Sequence, residues 1–484
     1  MRNPNPMSPT LLSRYLGQKF PPTEQQAAVI GAEPGPLLVV AGAGAGKTET
    51  MAARVVWLVA NGYVRPDEVL GLTFTRKAAQ EMGKRIRDRL GALAQNTDLV
   101  RRLDPSGELA RNLQVIAPMV STYDSYAGQL IREYGLLVPV EPDARLITDA
   151  ELHAIATDVV VNYSGGLLTE LGDNPSLSTV VENLLALSTS MGNELAAPDW
   201  VREHAHDFLA ETESYPTGPR ARVEFTKTLT GWRSKQEERT KLLPLVEELD
   251  AELRRRGVVT FNEQMSVAAK LARDHRTVGA SQRARFRVIM LDEYQDTSHA
   301  QRVLLRSLFG EGADPELTVT AVGDPMQAIY GWRGATAANL EAFVEDFPTA
   351  QGPAPKKQLT TSWRNPPEVL DLANGVSDAV LGPAETRAVA ALEARPGADA
   401  GDVTLGFFPH HDAEIAFVAD RLAQEYREAS ETGRPFSAAA LVRKNRHSPV
   451  LAAALEERGV PYEIVGLAGL LDVPEVADTV AVAT

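Results

Sequence analysis

The sequence predicts an α/β protein built on parallel sheet, and three stretches carry that reading. The first runs from Leu37 to Thr48, an apolar stretch that passes through small residues into Lys-Thr. The second is Arg287-Val288-Ile289-Met290-Leu291, followed by Asp292-Glu293-Tyr294-Gln295-Asp296. The third is Leu317 to Val322, leading into Gly323-Asp324-Pro325-Met326-Gln327-Ala328-Ile329-Tyr330-Gly331-Trp332-Arg333-Gly334. Near-continuous apolar runs mark strands buried on both faces, as in parallel sheets. The polar residues at their carboxyl ends then face the ligand crevice of an open sheet.

In the first stretch, Leu37-Leu38-Val39-Val40 is the strand and Ala41-Gly42-Ala43-Gly44-Ala45-Gly46-Lys47-Thr48 reads as a phosphate-binding loop. Small residues let the backbone curl so that successive N–H groups point at an anion. A helix through Met51 to Ala60 adds the partial positive charge of its N-terminus. Lys47 can reach β- and γ-phosphates, and the Thr48 hydroxyl can ligate Mg²⁺. The pattern is G-x-x-x-x-G-K-[ST] with Ala41 in place of the first glycine.

The chain has 484 residues, enough for two to four domains. With 44% apolar and 23% charged residues it is an ordinary globular composition. It has no cysteine, which excludes disulfides, thiolate metal sites and iron–sulfur ligation within the chain. No window holds about 18 uninterrupted apolar residues, so no span is predicted and the expected compartment is the cytoplasm. A net charge of −15 argues against a nonspecific nucleic-acid coat. A local basic groove stays possible in Arg76, Lys77, Lys84, Arg85, Arg87, Arg89, Arg101 and Arg102, although charge alone favours a solvated helix face.

In chain order, residues 1–21 read as a disordered lead-in and 22–148 as the first part of a sheet domain. Gln25, just before the phosphate loop, carries an amide that can both donate and accept, as the adenine edge requires. A second apolar run, Val69 to Thr75, ends in Thr73, Phe74 and Thr75 before a basic helix from Arg76 to Leu90. A third candidate strand, Val115 to Val120, leads into Thr122 and Tyr123. Hydroxyls and rings at such strand ends suit phosphate contacts and base stacking, or else cap the core. Residues 149–282 read as a helical insertion and 283–349 as the returning sheet domain. There Asp292 can hold Mg²⁺ through water and Glu293 can activate the attacking water. Gln327 can sense a γ-phosphate while Tyr330, Trp332 and Arg333 can meet bases and backbone, the alternative being an aromatic helix cap packed in the core. A Pro/Gly/Lys hinge at 350–357 precedes a second α/β domain at 358–484, with strand signals at Leu359 to Thr361, Val403 to Phe408, Ala438 to Val442 and Tyr462 to Val465. Near its start, Trp363 and Arg364 pair a ring with a guanidinium, which suits adenine stacking and phosphate pairing.

These segments, in this order, resemble the UvrD/Rep-like superfamily 1 DNA helicases. Thr-Glu-Gln-Gln, Gly-Lys-Thr, Thr-Phe-Thr-Arg-Lys-Ala-Ala, Asp-Glu-Tyr-Gln-Asp-Thr, the Gly-Asp-Pro-Met-Gln to Gly-Trp-Arg-Gly run and Trp-Arg-Asn carry the likeness. Leu471 to Asp478 is similar to the motor subunits of AdnAB-type helicase–nucleases. The resemblance implies tandem RecA-like domains clamping ATP and Mg²⁺, with single-stranded DNA crossing both and moving 3′ to 5′. It assigns adenine to Gln25, and triphosphate binding and hydrolysis to Lys47, Thr48, Asp292 and Glu293. Coupling falls to Gln327, base stacking to Trp363 and the γ-phosphate to Arg364. DNA contact falls to Phe74, Tyr330, Trp332 and Arg333, with Thr73, Thr75, Arg76, Thr122 and Tyr123 beside them. The expected partners are single-stranded DNA, DNA junctions and a second helicase–nuclease subunit, in DNA repair or recombination.

Glu49 follows Thr48 where relatives commonly carry Arg, Asp124 replaces a His and Ser362 an Asn. The family's last motifs have no counterpart before Thr484, so the second domain is expected to be incomplete. Two functions follow: an ATP-driven DNA translocase and helicase, or a nucleotide-gated single-strand binding module with little turnover. A small-molecule P-loop kinase is disfavoured because no acceptor pocket is visible and the aromatic–arginine segment would be unused.

Overall fold

The computed structural model describes residues 5–465 except 116, 139–140, 142, 166–174, 216–222, 311–313, 315–316, 332–333, 337 and 384–388. Six strands make one parallel sheet: β1 (Leu37–Ala41), β2 (Val69–Thr73), β3 (Met119–Thr122), β6 (Val288–Leu291), β7 (Thr318–Gly323) and β8 (Lys356–Leu359), in the order β3-β2-β6-β7-β1-β8. Leu37 pairs with Thr320 and Leu38 with Lys356, so β1 lies between β7 and β8.

Alternation along the strands feeds two cores. Leu38, Val40, Leu70, Leu72, Ile289, Leu291, Val319 and Ala321 face one, with helices Tyr123–Tyr134, Phe261–Asp274, Arg276–Arg285 and His299–Phe309. Leu37, Val39, Ala41, Val69, Val288, Met290 and Val322 face the other, with helices Glu24–Ile30, Lys47–Ala60 and Arg76–Gln95. Helices on both faces cover the four inner strands β1, β2, β6 and β7, which are buried throughout and mostly apolar, whereas the edge strands β3 and β8 carry polar residues.

Among the described residues, one arginine lies wholly inside. Arg54 has no exposed surface, and burial pulls its guanidinium down to about 10. It donates to the carbonyls of Val29 (2.9 Å), Ile30 (3.2 Å), Ala32 (2.8 Å) and Glu33 (3.3 Å), and to the Thr320 hydroxyl (3.1 Å). It thereby satisfies carbonyls at and beyond the end of helix Glu24–Ile30 and ties that helix to the phosphate-loop helix and to β7.

The helical insertion has its own core, from Ile147 to Val258, built by helices Asp149–Asn162, Leu177–Glu194 and Val223–Arg255. Two short strands, β4 (Arg145–Leu146) and β5 (Val258–Val259), close its base in parallel. Residues 261–285, read from sequence as largely insertion, return to the sheet core instead.

Several local expectations are corrected. The lead-in is ordered over its described part: helix Pro9–Tyr15 is capped by Ser8, Leu12 is buried, and the Trp57 indole N–H donates to the Met7 carbonyl (2.6 Å). Residues 108–115 are helical, so β3 starts only at Met119. Residues 356–359, placed at the hinge and second-domain start, form the edge strand β8 because β1 offers them a free ladder. Thr361–Ser362 is β9, paired in parallel with β10 (Glu393–Ala394).

The chain divides into two compact units, 1–401 and 402–484. In the second, helices His411–Thr432 and Ser448–Glu456 pack Ile415, Ala419, Ala423, Leu451, Leu455 and Val460 together. The runs expected as strands at 403–408, 438–442 and 462–465 pair with no strand among the described residues, and Leu405, Phe407, Leu441 and Val465 are exposed. Without a ladder partner an apolar run has nothing to hold it as sheet. No helix among the described residues is long and apolar enough to cross a membrane.

Candidate functional site

The phosphate loop leaves β1 and enters helix Lys47–Ala60 through two left-handed glycines, Gly44 (φ 76°) and Gly46 (φ 77°), the latter being the helix N-cap. Both conformations are costly for any residue with a Cβ. Ala41 departs from the glycine pattern harmlessly, because it is the last residue of β1, paired with Leu359, and not part of the turn. Gln26 supports the loop from below, donating to the Ala45 carbonyl (3.3 Å) while forming a capping box with Thr23.

Opposite the loop lie the ends of β6 and β7. The Lys47 ammonium is buried without a hydrogen-bond acceptor and stands 3.5 Å from a carboxylate oxygen of Glu293. Glu293 is held at φ 50°, one of two non-glycine residues with positive φ among those described. Strain of this kind persists where surrounding bonds over-determine it. Around it, the Glu293 N–H donates to the Asp292 carboxylate (3.1 Å), and Gln295 donates to Glu293 (2.9 Å) and Asp296 (3.2 Å) and accepts from the Asp324 N–H (3.0 Å). Gln327 donates to Asp324 (2.7 Å). A chain of polar contacts thus runs from the Lys47 partner to Gln327.

Burial, with Glu293 adjacent, lifts the Asp292 carboxyl to about 7, and the same two causes lift Asp296 to about 6. Burial also raises Asp324. An acceptor-less buried ammonium, a glycine-lined turn and a buried carboxyl short of cationic partners fit a triphosphate with a divalent cation. Lys47 and Thr48 suit the phosphates, and Thr48 and Asp292 the cation.

On the loop's other side, Thr360 N–H and hydroxyl occupy the Gln25 amide: its oxygen accepts from the amide N–H (2.9 Å) and its NH₂ donates to the hydroxyl (2.9 Å). The Trp363 N–H donates to the Gly44 carbonyl (2.9 Å). Exposed Arg364 follows, and its Cβ stands close to Gly44, while the Leu392 side chain packs against Gly42. Glu49 pairs with Arg85 (3.4 Å) and with Arg89.

The expected DNA contacts divide. Phe74 and Tyr330 stack, with centroids 5.1 Å apart and planes at 21°, and both are half-buried. Thr75 and Arg76 are exposed, Thr75 capping helix Arg76–Gln95. Thr73 and Tyr123 are corrected: both are buried, and Tyr123 donates to the Asp292 backbone carbonyl (3.0 Å). Thr122 spends its hydroxyl on capping the next helix through Ser125. Trp332, Arg333 and the stretch 471–478 lie outside the described residues. The basic run is mostly exposed, except that Arg85 and Arg89 serve Glu49 and Arg102 meets Tyr15 (3.1 Å).

Sequence reasoning passed over Gln295, Asp324 and Arg54. Gln295 and Asp324 stood inside quoted motifs, so the signal was present. Arg54, seven residues after Lys47, was a charge within the apolar run Met51 to Ala60 of its helix.

Comparison with known proteins agrees with this geometry. The chain is 29% identical over 474 residues to the ATP-dependent DNA helicase UvrD1 of Mycobacterium tuberculosis, covering 95% of this chain and 51% of that protein. It is 26% identical over 457 residues to the ATP-dependent DNA helicase PcrA of Staphylococcus epidermidis, covering 94% and 52%. A third relative, the ATP-dependent DNA helicase UvrD2 of Mycobacterium bovis, is 26% identical over 457 residues, covering 94% and 56%. The chain thus spans about half the length of the curated relatives it matches. The family profile described as the UvrD/REP helicase N-terminal domain matches residues 22–348, from the helix of Gln25 to beyond Gln327, and the chain belongs to that family.

Proposed function

We propose that this chain is the motor part of an ATP-dependent DNA helicase that moves 3′ to 5′ on single-stranded DNA, in DNA repair or recombination. The observation that carries the reading is the buried, acceptor-less Lys47 ammonium facing Glu293 across the glycine turn. Lys47 takes the β- and γ-phosphate charge, the loop N–H groups cradle the remaining oxygens, and Thr48 and Asp292 hold Mg²⁺. When bound, Mg²⁺ neutralises charge on the triphosphate. Glu293, aimed by its φ of 50° and by Gln295, orients the attacking water and takes its proton. Gln327 links this centre to Tyr330 on the same short segment, and Tyr330 with Phe74 offers a ring surface to bases. Arg364 approaches the γ-phosphate, and Trp363 and Gln25 take the base. DNA junctions and a second helicase–nuclease subunit belong to the same reading as partners.

A second reading, a nucleotide-gated single-strand binder with little turnover, is favoured by one observation: the second unit's described residues form two α-helices and a 3₁₀ turn but no strand. ATP hydrolysis with and without single-stranded DNA separates the two. The helicase reading expects DNA to stimulate turnover, Lys47→Ala to abolish nucleotide binding, and Glu293→Gln to bind ATP without hydrolysing it. Unchanged nucleotide affinity in Lys47→Ala would remove the assignment.

A further inference from the structure

Phe20 lies outside every motif named above, on the stretch between helices Pro9–Tyr15 and Glu24–Ile30, and its side chain is 60% exposed. An exposed phenyl ring contributes little to the core. Its neighbour is Trp363: the ring centroids are 5.8 Å apart with planes at 49°. The Lys19 ammonium stands 5.2 Å from the Phe20 centroid. Trp363 is anchored beside the phosphate loop by its backbone bond to Gly44, but its indole N–H is buried without an acceptor, so no hydrogen bond of its own fixes the ring. Gln25 follows Phe20 by five residues and is bonded to Thr360, three residues before Trp363. Two rings and one donor–acceptor amide therefore converge next to the loop.

We propose that Phe20 and Trp363 are the two walls of a slot that takes the purine ring of the bound nucleotide, Phe20 being a binding residue for the base. The proposal rests on the reading that the loop holds a nucleoside triphosphate. Two ring faces with a base between them stand roughly 7–8 Å apart, two van der Waals contacts of about 3.5–4 Å each. At 5.8 Å and 49° the slot is closed, and admitting a base requires it to open by about 2 Å with the rings turned parallel. Phe20 can make that movement because solvent, not core, surrounds most of it. Stacking on π-faces accepts any base, so the slot sets affinity for having a base, while the Gln25 NH₂ keeps one N–H beyond its bond to Thr360 to offer the base edge.

The test uses the full chain and two probes with Mg²⁺, ATP and inorganic tripolyphosphate, which shares the phosphates and lacks the base. Phe20→Ala should raise the Kd for ATP about three- to tenfold, the range of one aromatic contact, and leave the Kd for tripolyphosphate unchanged. Phe20→Tyr should restore ATP affinity. Unchanged ATP affinity in Phe20→Ala, or equal weakening of both probes, would overturn the slot while leaving the phosphate site standing. A parent chain that bound neither probe would overturn the nucleotide reading itself, and the slot with it.

Discussion

Replacing Asp292 by Asn should make the nucleotide-free chain more stable while removing its hydrolytic activity. Asp292 is 3% exposed, and burial beside Glu293 lifts its carboxyl from 3.8 to about 7. Between those two values the folded chain holds a proton that the unfolded chain has lost. Stability therefore falls as pH rises through this window, and the whole penalty is present above pH 7. A difference of about three pH units corresponds to about 4 kcal/mol. A charge this deep draws in water and shifts its neighbours, which recovers roughly half. Asn keeps the shape without the charge, so the expected gain is about 2 kcal/mol at pH 8 and about 0.8 kcal/mol at pH 5. All five tryptophans precede residue 402, so urea unfolding followed by tryptophan fluorescence reports the first unit alone. A variant less stable than the parent at pH 8, or one with the same gain at both pH values, would refute the reasoning.

Arg54→Met removes the donor of five bonds and strands buried carbonyls, each costing about 1–3 kcal/mol, although it also releases a buried charge. The expected loss is about 3 kcal/mol in the same urea titration, and a loss under about 1 kcal/mol would show the guanidinium to be dispensable. Gly44→Ala places a Cβ at φ 76° within 2.6 Å of the Ser362 hydroxyl and 2.8 Å of the Arg364 Cβ. It should weaken a fluorescent ATP analogue at least tenfold, on the order of the 1–3 kcal/mol of left-handed strain, and unaltered binding would reject the loop geometry. Glu263 follows Thr260 at the start of its helix, and burial together with Asp250 lifts its carboxyl to about 7. The folded chain again holds the extra proton, so Glu263→Gln, which can still accept at the helix start, should gain stability relative to the parent as pH rises from 5 to 8. Melting differences that do not change with pH would contradict this.

The strands around the site were legible because burial on both faces favours apolar residues: Leu37–Ala41, Val69–Thr73, Val288–Leu291 and Thr318–Gly323 are mostly apolar runs in which the only polar side chains are threonines. The phosphate loop was legible because glycine at 44 and 46 answers a backbone need. What sequence reasoning lost was tertiary. Lys356–Leu359 carries two lysines and reads as hinge, yet an edge strand needs only one buried side, and β1 supplied the ladder. Thr73 and Tyr123 have the chemistry of DNA contacts, and only packing decides that their side chains point inward. The left-handed Glu293 and the Gln295 bridge leave no periodic signal, because they depend on two strand ends meeting.

The path of the chain out of the first unit has a mechanical consequence. Arg395 N–H bonds the Ser362 carbonyl (2.9 Å), Glu393 N–H bonds that of Thr360 (3.0 Å), and Asn374 holds Leu392 from both sides (2.9 and 3.0 Å). The stretch of chain between them, which carries helix Pro367–Leu381, is thus an excursion closed where Glu393 and Arg395 meet Thr360 and Ser362. A pull applied beyond Arg395 does not stretch that helix first. It loads residues 360–362, and through Trp363 and Thr360 it arrives at the Gly44 carbonyl and the Gln25 amide. Traction on the downstream chain is borne first by the β9–β10 pairing and reaches the glycine turn next.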